Sequence, residues 1–424
     1  MISAYPLTRR IVVKNIAALF SGSALAQGLT ALVYLILARQ LGAPEFGKFT
    51  SSLALASITS LLFNLGLDTW LLHVGGKQPA AIPRFTGSVV AIKGVLGLLW
   101  FVLLMLLSPL LNQNTFPFQV LLWTAVTVWL DSMLMTLLTA FKANLQNRYP
   151  LILEPATDLV WLLGTIGLIL VGTSTIVPYL ILRAIVLACG LITSGLILGR
   201  VIGVNLSQDT ARQALRESPP YASSELLAMT TMSKSKRIVV IVALFLGSEA
   251  AGVYSPALAV VNTLFFIPAA IANVMIPVLS YLYQHHVDQA RRTASRQIWL
   301  QLLVGILLFA GFYLFSPFLV RFLGASYQDS LILMRILSFV LLLKPITFAM
   351  AAILVASQNQ RRRVYIQVIA AIASVLLDLI AVYWFNLPAV AIVYVLVELI
   401  LISGYGWVVY RYAPHKSTPI PAGG

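Results

Sequence analysis

Twelve long apolar stretches constrain this sequence more than any other feature. A helix that crosses a bilayer needs about 20 mainly apolar residues, because it rises about 1.5 Å per residue across about 30 Å of hydrocarbon. The stretches lie at roughly 13–38, 46–73, 85–108, 118–141, 150–171, 176–199, 223–246, 252–283, 297–318, 330–354, 364–385 and 388–410. With 60% hydrophobic and 10% charged residues, the chain has too few polar groups to coat a water-soluble globule. We therefore predict an all-α integral membrane protein with twelve transmembrane helices, since the alternating pattern of a membrane barrel is absent.

A nine-residue motif occurs twice, at Leu41–Phe49 and at Leu246–Tyr254. Both copies read Leu-Gly, four residues, Gly, one residue, aromatic, and they are offset by 205 residues. Shorter echoes follow in the same order, 107–109 with 315–317 and 143–148 with 356–361, at offsets of 208 and 213. An internal repeat whose offset grows slowly along the chain predicts a duplication with small insertions in the second copy.

The duplication predicts two six-helix lobes, 1–200 and 223–424, joined by a linker at 201–222. Because six is even, both lobes enter the membrane from the same side, so the repeats are parallel and leave a cleft between them. Within the linker, residues 209–216 are expected to form a short surface helix that Pro219 and Pro220 would end.

Basic residues are concentrated on one side of this predicted topology. Of the 28 Lys and Arg residues, 18 lie in the two tails and the even-numbered connections, and three lie in the opposite connections. Positive charge favours the cytoplasmic side, which predicts cytoplasmic termini and a cytoplasmic linker. The net charge of +15 therefore reflects topology, and we expect no nucleic-acid partner.

Several motifs resemble one known family. They are Ser21–Gly28, Leu37–Phe49, Leu65–Asp68, Leu246–Ala257 and Pro277–Ser280. Together they are similar to the bacterial polysaccharide-biosynthesis membrane proteins, the oligosaccharide flippases of Wzx type, in the superfamily that also holds multidrug exporters. The resemblance implies two six-helix lobes around a central cavity in the inner membrane. It also implies movement of a polyprenyl-pyrophosphate-linked sugar to the outer leaflet, alongside other membrane proteins of polysaccharide assembly.

The start of helix 7 is the most polar part of any predicted span. Counting back from Gly247, Arg237 lies about 15 Å deep, and Lys234 and Lys236 lie beside it. A pyrophosphate that crosses a low-dielectric cleft needs cations, so we predict that these three residues bind it. The alternative is that the helix begins later and the cluster extends to the cytoplasmic interface. Many members of the family carry an acidic residue here, and its absence disfavours cation coupling through helix 7.

Other charges fall inside predicted spans, where each needs a wet cavity or a partner. Lys93, Arg183 and Lys344 are further candidates for the cationic site, and Asp131, Asp378 and Glu398 are candidate coupling carboxylates. Structural pairing between helices is the alternative for each of them. The polar residues Ser23, Gln27 and Thr30 in helix 1 would line the cavity, or would serve close helix packing.

Two rival functions stay open. One is a drug or small-molecule cation antiporter of the same superfamily, which would need deep carboxylates and no polybasic cleft. The other is a membrane-embedded glycosyltransferase or polymerase, for which the outer connections are short. The sequence predicts no catalytic residue, no metal site and no cofactor, because the four histidines are dispersed or exposed and have no acidic neighbours at ligand spacing.

Overall fold

The computed structural model describes residues 9–222 and 234–412, with side chains over 22–222 and 236–411. The helices are α1 Arg9–Thr59, α2 Leu61–Asn64, α3 Leu67–Lys77, α4 Ile82–Leu107, α5 Phe118–Ala143, α6 Arg148–Leu170, α7 Val177–Val201, α8 Gln208–Glu217, α9 Lys234–Leu264, α10 Phe266–His285, α11 Val287–Leu323, α12 Ser330–Ala356 and α13 Gln360–Tyr412. Short 3₁₀ turns lie at Pro79–Ala81, Ser108–Leu110 and Ala325–Tyr327. Within these described ranges there is no strand.

Nine helical segments of the described chain are long and apolar enough to cross a membrane. Three of them, Gly22–Asn64, Lys236–His285 and Gln360–Arg411, have 43, 50 and 52 residues, about twice the length that one crossing needs. Each of the three contains one residue with positive φ, at Gly42 (73°), Gly247 (87°) and Asn386 (66°).

The chain folds back at each of these three residues. Tyr34 and Phe49 lie on either side of Gly42, and their ring centroids are 5.5 Å apart. Around Asn386, a Cβ added to Gly404 would lie 2.7 Å from Cγ2 of Ile366. Arg237 and Tyr254, before and after Gly247, both interact with Asp378. Nine segments, three of which consist of two arms, give twelve helical arms in the described ranges, and the arm before Gly247 is described only from Lys234, over less than the length of one crossing.

The chain divides into two compact units, which hold, of the described residues, 9–222 with 247–252 and 234–246 with 253–412. In the first unit, the fourth crossing, α5, packs against α1, α3, α4 and α7. In the second unit the corresponding crossing, α12, packs against α10, α11 and α13. The same member of each repeat therefore forms the centre of its bundle, as a duplication predicts. The exact boundaries of the predicted lobes stay a prediction.

The two copies of the nine-residue motif meet within the first unit, because residues 247–252 belong to it. A Cβ on Gly47 would lie 1.8 Å from the carbonyl oxygen of Ser248, and a Cβ on Gly252 would lie 1.9 Å from that of Ala43. Such distances leave no room for a side chain, so both positions need glycine for the two backbones to approach. The contact is reciprocal and joins equivalent points of the repeat.

The predicted linker helix is confirmed as α8, and it packs against the first unit. Ser207 caps its N-terminus by accepting a hydrogen bond from the backbone of Thr210 at 3.4 Å. The backbone N–H of Asn205 donates to the carbonyl of Pro83 at 3.0 Å. At the other end, the indole N–H of the buried Trp70 donates to Glu217 at 3.0 Å. The linker is therefore attached to α3 and α4 along its length.

The Trp70 hydrogen bond, together with one from Gln213, lowers the pKa of the exposed Glu217 carboxyl below its ordinary value. A lowered folded-state pKa stabilises the fold above the unfolded pKa of about 4.3, and this stabilisation disappears as the pH falls through the folded value. We expect Glu217→Gln to cost less than about 1 kcal/mol at neutral pH, because the group is exposed. Thermal unfolding of both proteins at pH 7 and pH 3 checks this, and a gap of equal size at both pH values would contradict it.

Candidate functional site

Helix 7 of the prediction corresponds to the first arm of α9, which is described from Lys234 onward. The side chain of Lys234, and the predicted helix start at Ser223, lie outside the described residues. Lys236 is exposed, whereas Arg237 is mostly buried, with 17% of its side chain accessible. The two neighbours therefore point in different directions, because successive residues of a helix are about 100° apart.

The charge of Arg237 is paired with residues of the eleventh crossing, which is the first arm of α13. Its guanidinium donates to Oγ of Ser374 at 2.6 Å and lies 3.6 Å from Oδ2 of Asp378. Ser374 in turn donates to the same Asp378 oxygen at 3.2 Å. Because Ser374 and Asp378 are four residues apart on α13, they share one helical face. Asp378, fully buried, is therefore paired with a cation of α9.

A second pair lies deeper in the same unit. The ammonium of Lys344 lies 2.8 Å from Oε1 of Glu398, and Thr347 donates to the other carboxylate oxygen at 3.0 Å. Both charged side chains are buried, with 7% and 0% accessible. Lys344 and Glu398 are therefore paired with each other between helices, which is the structural alternative that the sequence allows for both residues.

Lys93 forms a closed cluster in the first unit. Its ammonium contacts Oδ2 of Asp68 at 2.8 Å, Oγ1 of Thr136 at 2.9 Å and the carbonyl of Ser132 at 3.2 Å. An ammonium has three donors, and here all three are used. Lys93 therefore has no donor left for a phosphate, and the pairing interpretation applies to it.

Arg183 connects two of the carboxylates of the first unit. Its guanidinium lies 2.8 Å from Asp158 and 3.9 Å from Asp131, and it stacks over the ring of Trp161 at 4.3 Å. Thr30 donates to the second oxygen of Asp158 at 3.2 Å. Glu154 interacts electrostatically with Asp131 and Asp158 and also with Lys142, so this cluster holds three carboxylates and two cations. Carboxylates therefore outnumber cations in this cluster.

The polar residues of helix 1 have separate environments. Ser23 hydrogen-bonds with Glu154, Thr30 reaches Asp158, and Gln27 is exposed. Close packing also occurs here, since a Cβ on Gly22 would lie 2.6 Å from Cδ1 of Leu151. Close packing therefore accounts for part of this stretch, and cavity lining by Ser23, Gln27 and Thr30 stays a prediction.

The sequence reasoning missed several partners of these charges. They are Asp68, Ser132, Thr136, Ser374 and Thr347. The spacing in the sequence could have indicated two of them. Ser374 lies one helical turn before Asp378, and Thr347 lies one turn after Lys344. Across the ranges the structure describes, no group of three or more His, Cys, Asp or Glu residues is placed to hold a metal ion.

Solved structures with this fold include membrane transporters and a lipid flippase. A multidrug resistance MATE family transporter of the MOP superfamily, in an inward-facing conformation, matches with a TM-score of 0.73 at 14% identity, over 93% of this chain and 96% of that one. The multidrug transporter DinF-BH gives 0.69 at 14%, over 96% of each chain. The lipid II flippase MurJ gives 0.68 at 14%, over 92% of this chain and 87% of that one. The chain therefore has the fold of these proteins, and the predicted class of twelve helices in two six-helix lobes is confirmed.

Sequence profiles identify the family. The profile described as polysaccharide biosynthesis protein matches residues 12–283, well over half of the chain. A MatE profile matches residues 226–380. A comparison with curated protein sequences finds no match. The chain belongs to the polysaccharide biosynthesis protein family, as the motif resemblance predicts.

Proposed function

We propose that this protein is a flippase that moves a polyprenyl-pyrophosphate-linked oligosaccharide from the cytoplasmic to the outer leaflet of the bacterial inner membrane by alternating access. Membership of the polysaccharide biosynthesis family supports this, and so does the shared fold with a lipid II flippase. The cargo would supply building blocks for a polymer such as an O-antigen or exopolysaccharide. Other membrane proteins of polysaccharide assembly would act before and after it.

The observation that carries the proposal is the partly accessible Arg237 in a membrane-spanning helix, beside the exposed Lys236. A charge near the centre of a membrane helix costs about 2.5–3.5 kcal/mol on insertion scales, so a chain that retains one has a use or a partner for it. Arg237 has a partner and is still accessible. Guanidinium and ammonium groups form strong charge-assisted hydrogen bonds with phosphate oxygens, which suits a pyrophosphate group.

Orientation follows from the distribution of positive charge. The proposed arrangement has cytoplasmic termini and a cytoplasmic α8, with Gly42, Gly247 and Asn386 at outer hairpins. Because the arm from Lys234 to Gly247 then enters from the cytoplasm, Lys236 would meet the cargo on the side where it is made. No chemical step is proposed, and the chain would act as a carrier.

A cation antiporter is the second candidate, and the cluster around Arg183 favours it. Asp131 and Asp158 lie near the Arg183 guanidinium, Glu154 interacts electrostatically with both carboxylates and with Lys142, and 44% of the Asp131 side chain is accessible. A cationic drug or a coupling ion would be attracted to such a cluster. The MatE profile match over residues 226–380 agrees with this candidate as well.

A flipping assay separates the two candidates. We expect purified protein in vesicles to translocate a fluorescent polyprenyl-pyrophosphate-linked sugar, and Lys236→Glu to slow this about tenfold or more, because a hydrogen bond to a charged group contributes about 1.5–3 kcal/mol. Lys236 is exposed, so the variant should fold. Arg335→Glu, at an exposed arginine of the same unit, is the control and should flip at the normal rate.

Two results would favour the antiporter instead. The first is unchanged flipping, or none in the unaltered protein, combined with gradient-driven export of a cationic dye. The second is loss of that dye export in Asp131→Asn while Lys236→Glu retains it. Sugar transfer to a lipid-linked acceptor by the purified protein would support the enzyme alternative.

A further inference from the structure

The second unit contains two cation–carboxylate pairs of different character. Lys344 and Glu398 are 2.8 Å apart, and 7% and 0% of their side chains are accessible. Arg237 and Asp378 are 3.6 Å apart, and 17% of the arginine is accessible while Asp378 is fully buried. The first pair has the short distance and the dry surroundings of a structural ion pair. The second is longer and open on its cationic side.

Ser374 makes the closest contact of the Arg237 pair. The guanidinium donates to the serine hydroxyl at 2.6 Å, and that hydroxyl donates to Asp378 at 3.2 Å. Part of the link from arginine to aspartate therefore runs through a neutral hydroxyl, which can rotate. A loose pair of this kind yields more easily to a stronger anion than a direct contact at 2.8 Å does.

Tyr254, in the same unit as this pair, has a buried hydroxyl with an unused donor. Its side chain is fully buried and interacts electrostatically with Asp378. Across the residues that the structure describes, its hydroxyl has no hydrogen-bond partner. Burying a hydroxyl without a partner is costly, so such a group marks a place where another state or a ligand supplies one.

The repeat provides an internal comparison for this hydroxyl. Tyr254 closes the second copy of the nine-residue motif, and Phe49 occupies the same place in the first copy. Phe49 packs edge to face against Tyr34 with a centroid distance of 5.5 Å. The motif therefore has an aromatic ring at this position in both copies, and only the second copy has a hydroxyl, on a residue that interacts electrostatically with a buried carboxylate.

We infer that Asp378 is the resting counter-ion of Arg237, that the diphosphate of the cargo displaces it, and that the Tyr254 hydroxyl then donates a hydrogen bond to the released carboxylate. The inference rests on the proposed function, because it assigns a role around the same site. Asp378 and Tyr254 are positioning residues in this scheme, and Arg237 makes the contact with the anion.

Electrostatics explains why the exchange can proceed. A diphosphate bears more than one negative charge and offers paired oxygens to the guanidinium fork, whereas Asp378 offers one charge at 3.6 Å. The released carboxylate stays buried, and an uncompensated buried charge is unfavourable. A hydrogen bond from Tyr254 offsets part of that cost. The partner of Asp378 would thus change from Arg237, which precedes Gly247 in α9, to Tyr254, which follows Gly247.

The decisive variant is Tyr254→Phe. No hydrogen bond of the resting state is lost, so its melting temperature should equal that of the unaltered protein, while flipping and affinity for inorganic diphosphate should each fall about tenfold. Tyr179→Phe is the matched control, because the Tyr179 hydroxyl does donate, to the carbonyl of Thr173 at 2.9 Å. It should lose thermal stability and keep its diphosphate affinity.

Charge exchange adds a second comparison. Asp378→Arg combined with Arg237→Asp restores a pair and should fold without binding diphosphate normally, whereas Lys344→Glu with Glu398→Lys should retain diphosphate binding. Normal diphosphate affinity in Tyr254→Phe, or a large drop in its melting temperature, would overturn the inference. Diphosphate binding that depends on Tyr254 in a protein that flips no lipid-linked sugar would instead reject the proposed function alone.

Discussion

Replacing Lys344 with methionine should lower the free energy of unfolding by about 3–5 kcal/mol, because it removes the ammonium that lies 2.8 Å from the buried, charged Glu398. Most of this loss of stability comes from the buried charge of Glu398 that remains, rather than from the contact that is removed. Thr347 still donates to the carboxylate, but one neutral hydrogen bond does not replace an ammonium at 2.8 Å. Thermal or denaturant unfolding in detergent measures the effect.

The matched control removes both charges at once. Lys344→Met with Glu398→Leu should recover most of the lost stability, because well-packed apolar residues often replace a buried ion pair at little cost. If the double variant unfolds as easily as the single one, the explanation by an uncompensated charge is wrong, and packing around Phe265 and Phe348 would have to account for the loss.

Replacing Gly47 with alanine is the second change for which we expect a large effect. The added Cβ would meet the backbone oxygen of Ser248 at 1.8 Å, and backbone cannot move aside as the tip of a side chain can. We expect a loss of about 3 kcal/mol, at the upper end for overpacking, and a similar loss for Gly252→Ala, which meets Ala43 in the same way. Unfolding measurements on both variants check the prediction.

Gly94→Ala is the control for this pair. Gly94 lies inside α4, and a Cβ there would have nothing within 4 Å. Alanine is the better helix former by about 0.5–1 kcal/mol, so this change should be neutral or stabilising. Equal losses at Gly94 and Gly47 would show that the close approach of the two motif copies has no special importance.

The sequence predicted the helices and their turning points well, because both depend on local pattern. Apolar stretches mark the crossings, and the motif glycines mark two of the three hairpins, Gly42 and Gly247. A gap between two apolar stretches falls at the third, Asn386. Sequence pattern could not decide where the seventh crossing begins, because polar residues interrupt the apolar pattern before Ile238. Residues 223–233 lie outside the described ones.

The pairing of the internal charges was not predictable. Lys344 and Glu398 are 54 residues apart, and Arg237 and Ser374 are 137 apart. Which charges meet depends on the rotation of each helix about its axis. A helix that is apolar on nearly every side carries little periodic signal from which to read that rotation. Membrane physics therefore predicted that these charges need partners, and only the three-dimensional arrangement identifies them.

The reciprocal glycine contact also limits how this sequence can diverge. Each copy of the motif has a glycine whose missing Cβ leaves room for the backbone of the other copy. A substitution in either copy therefore disturbs the packing of both. After duplication, most of the two repeats could drift apart, as the few matching residues between them show. Gly47 and Gly252 cannot change independently, because each lies against the backbone of the other copy. A hybrid of two related chains would therefore need glycine at both positions.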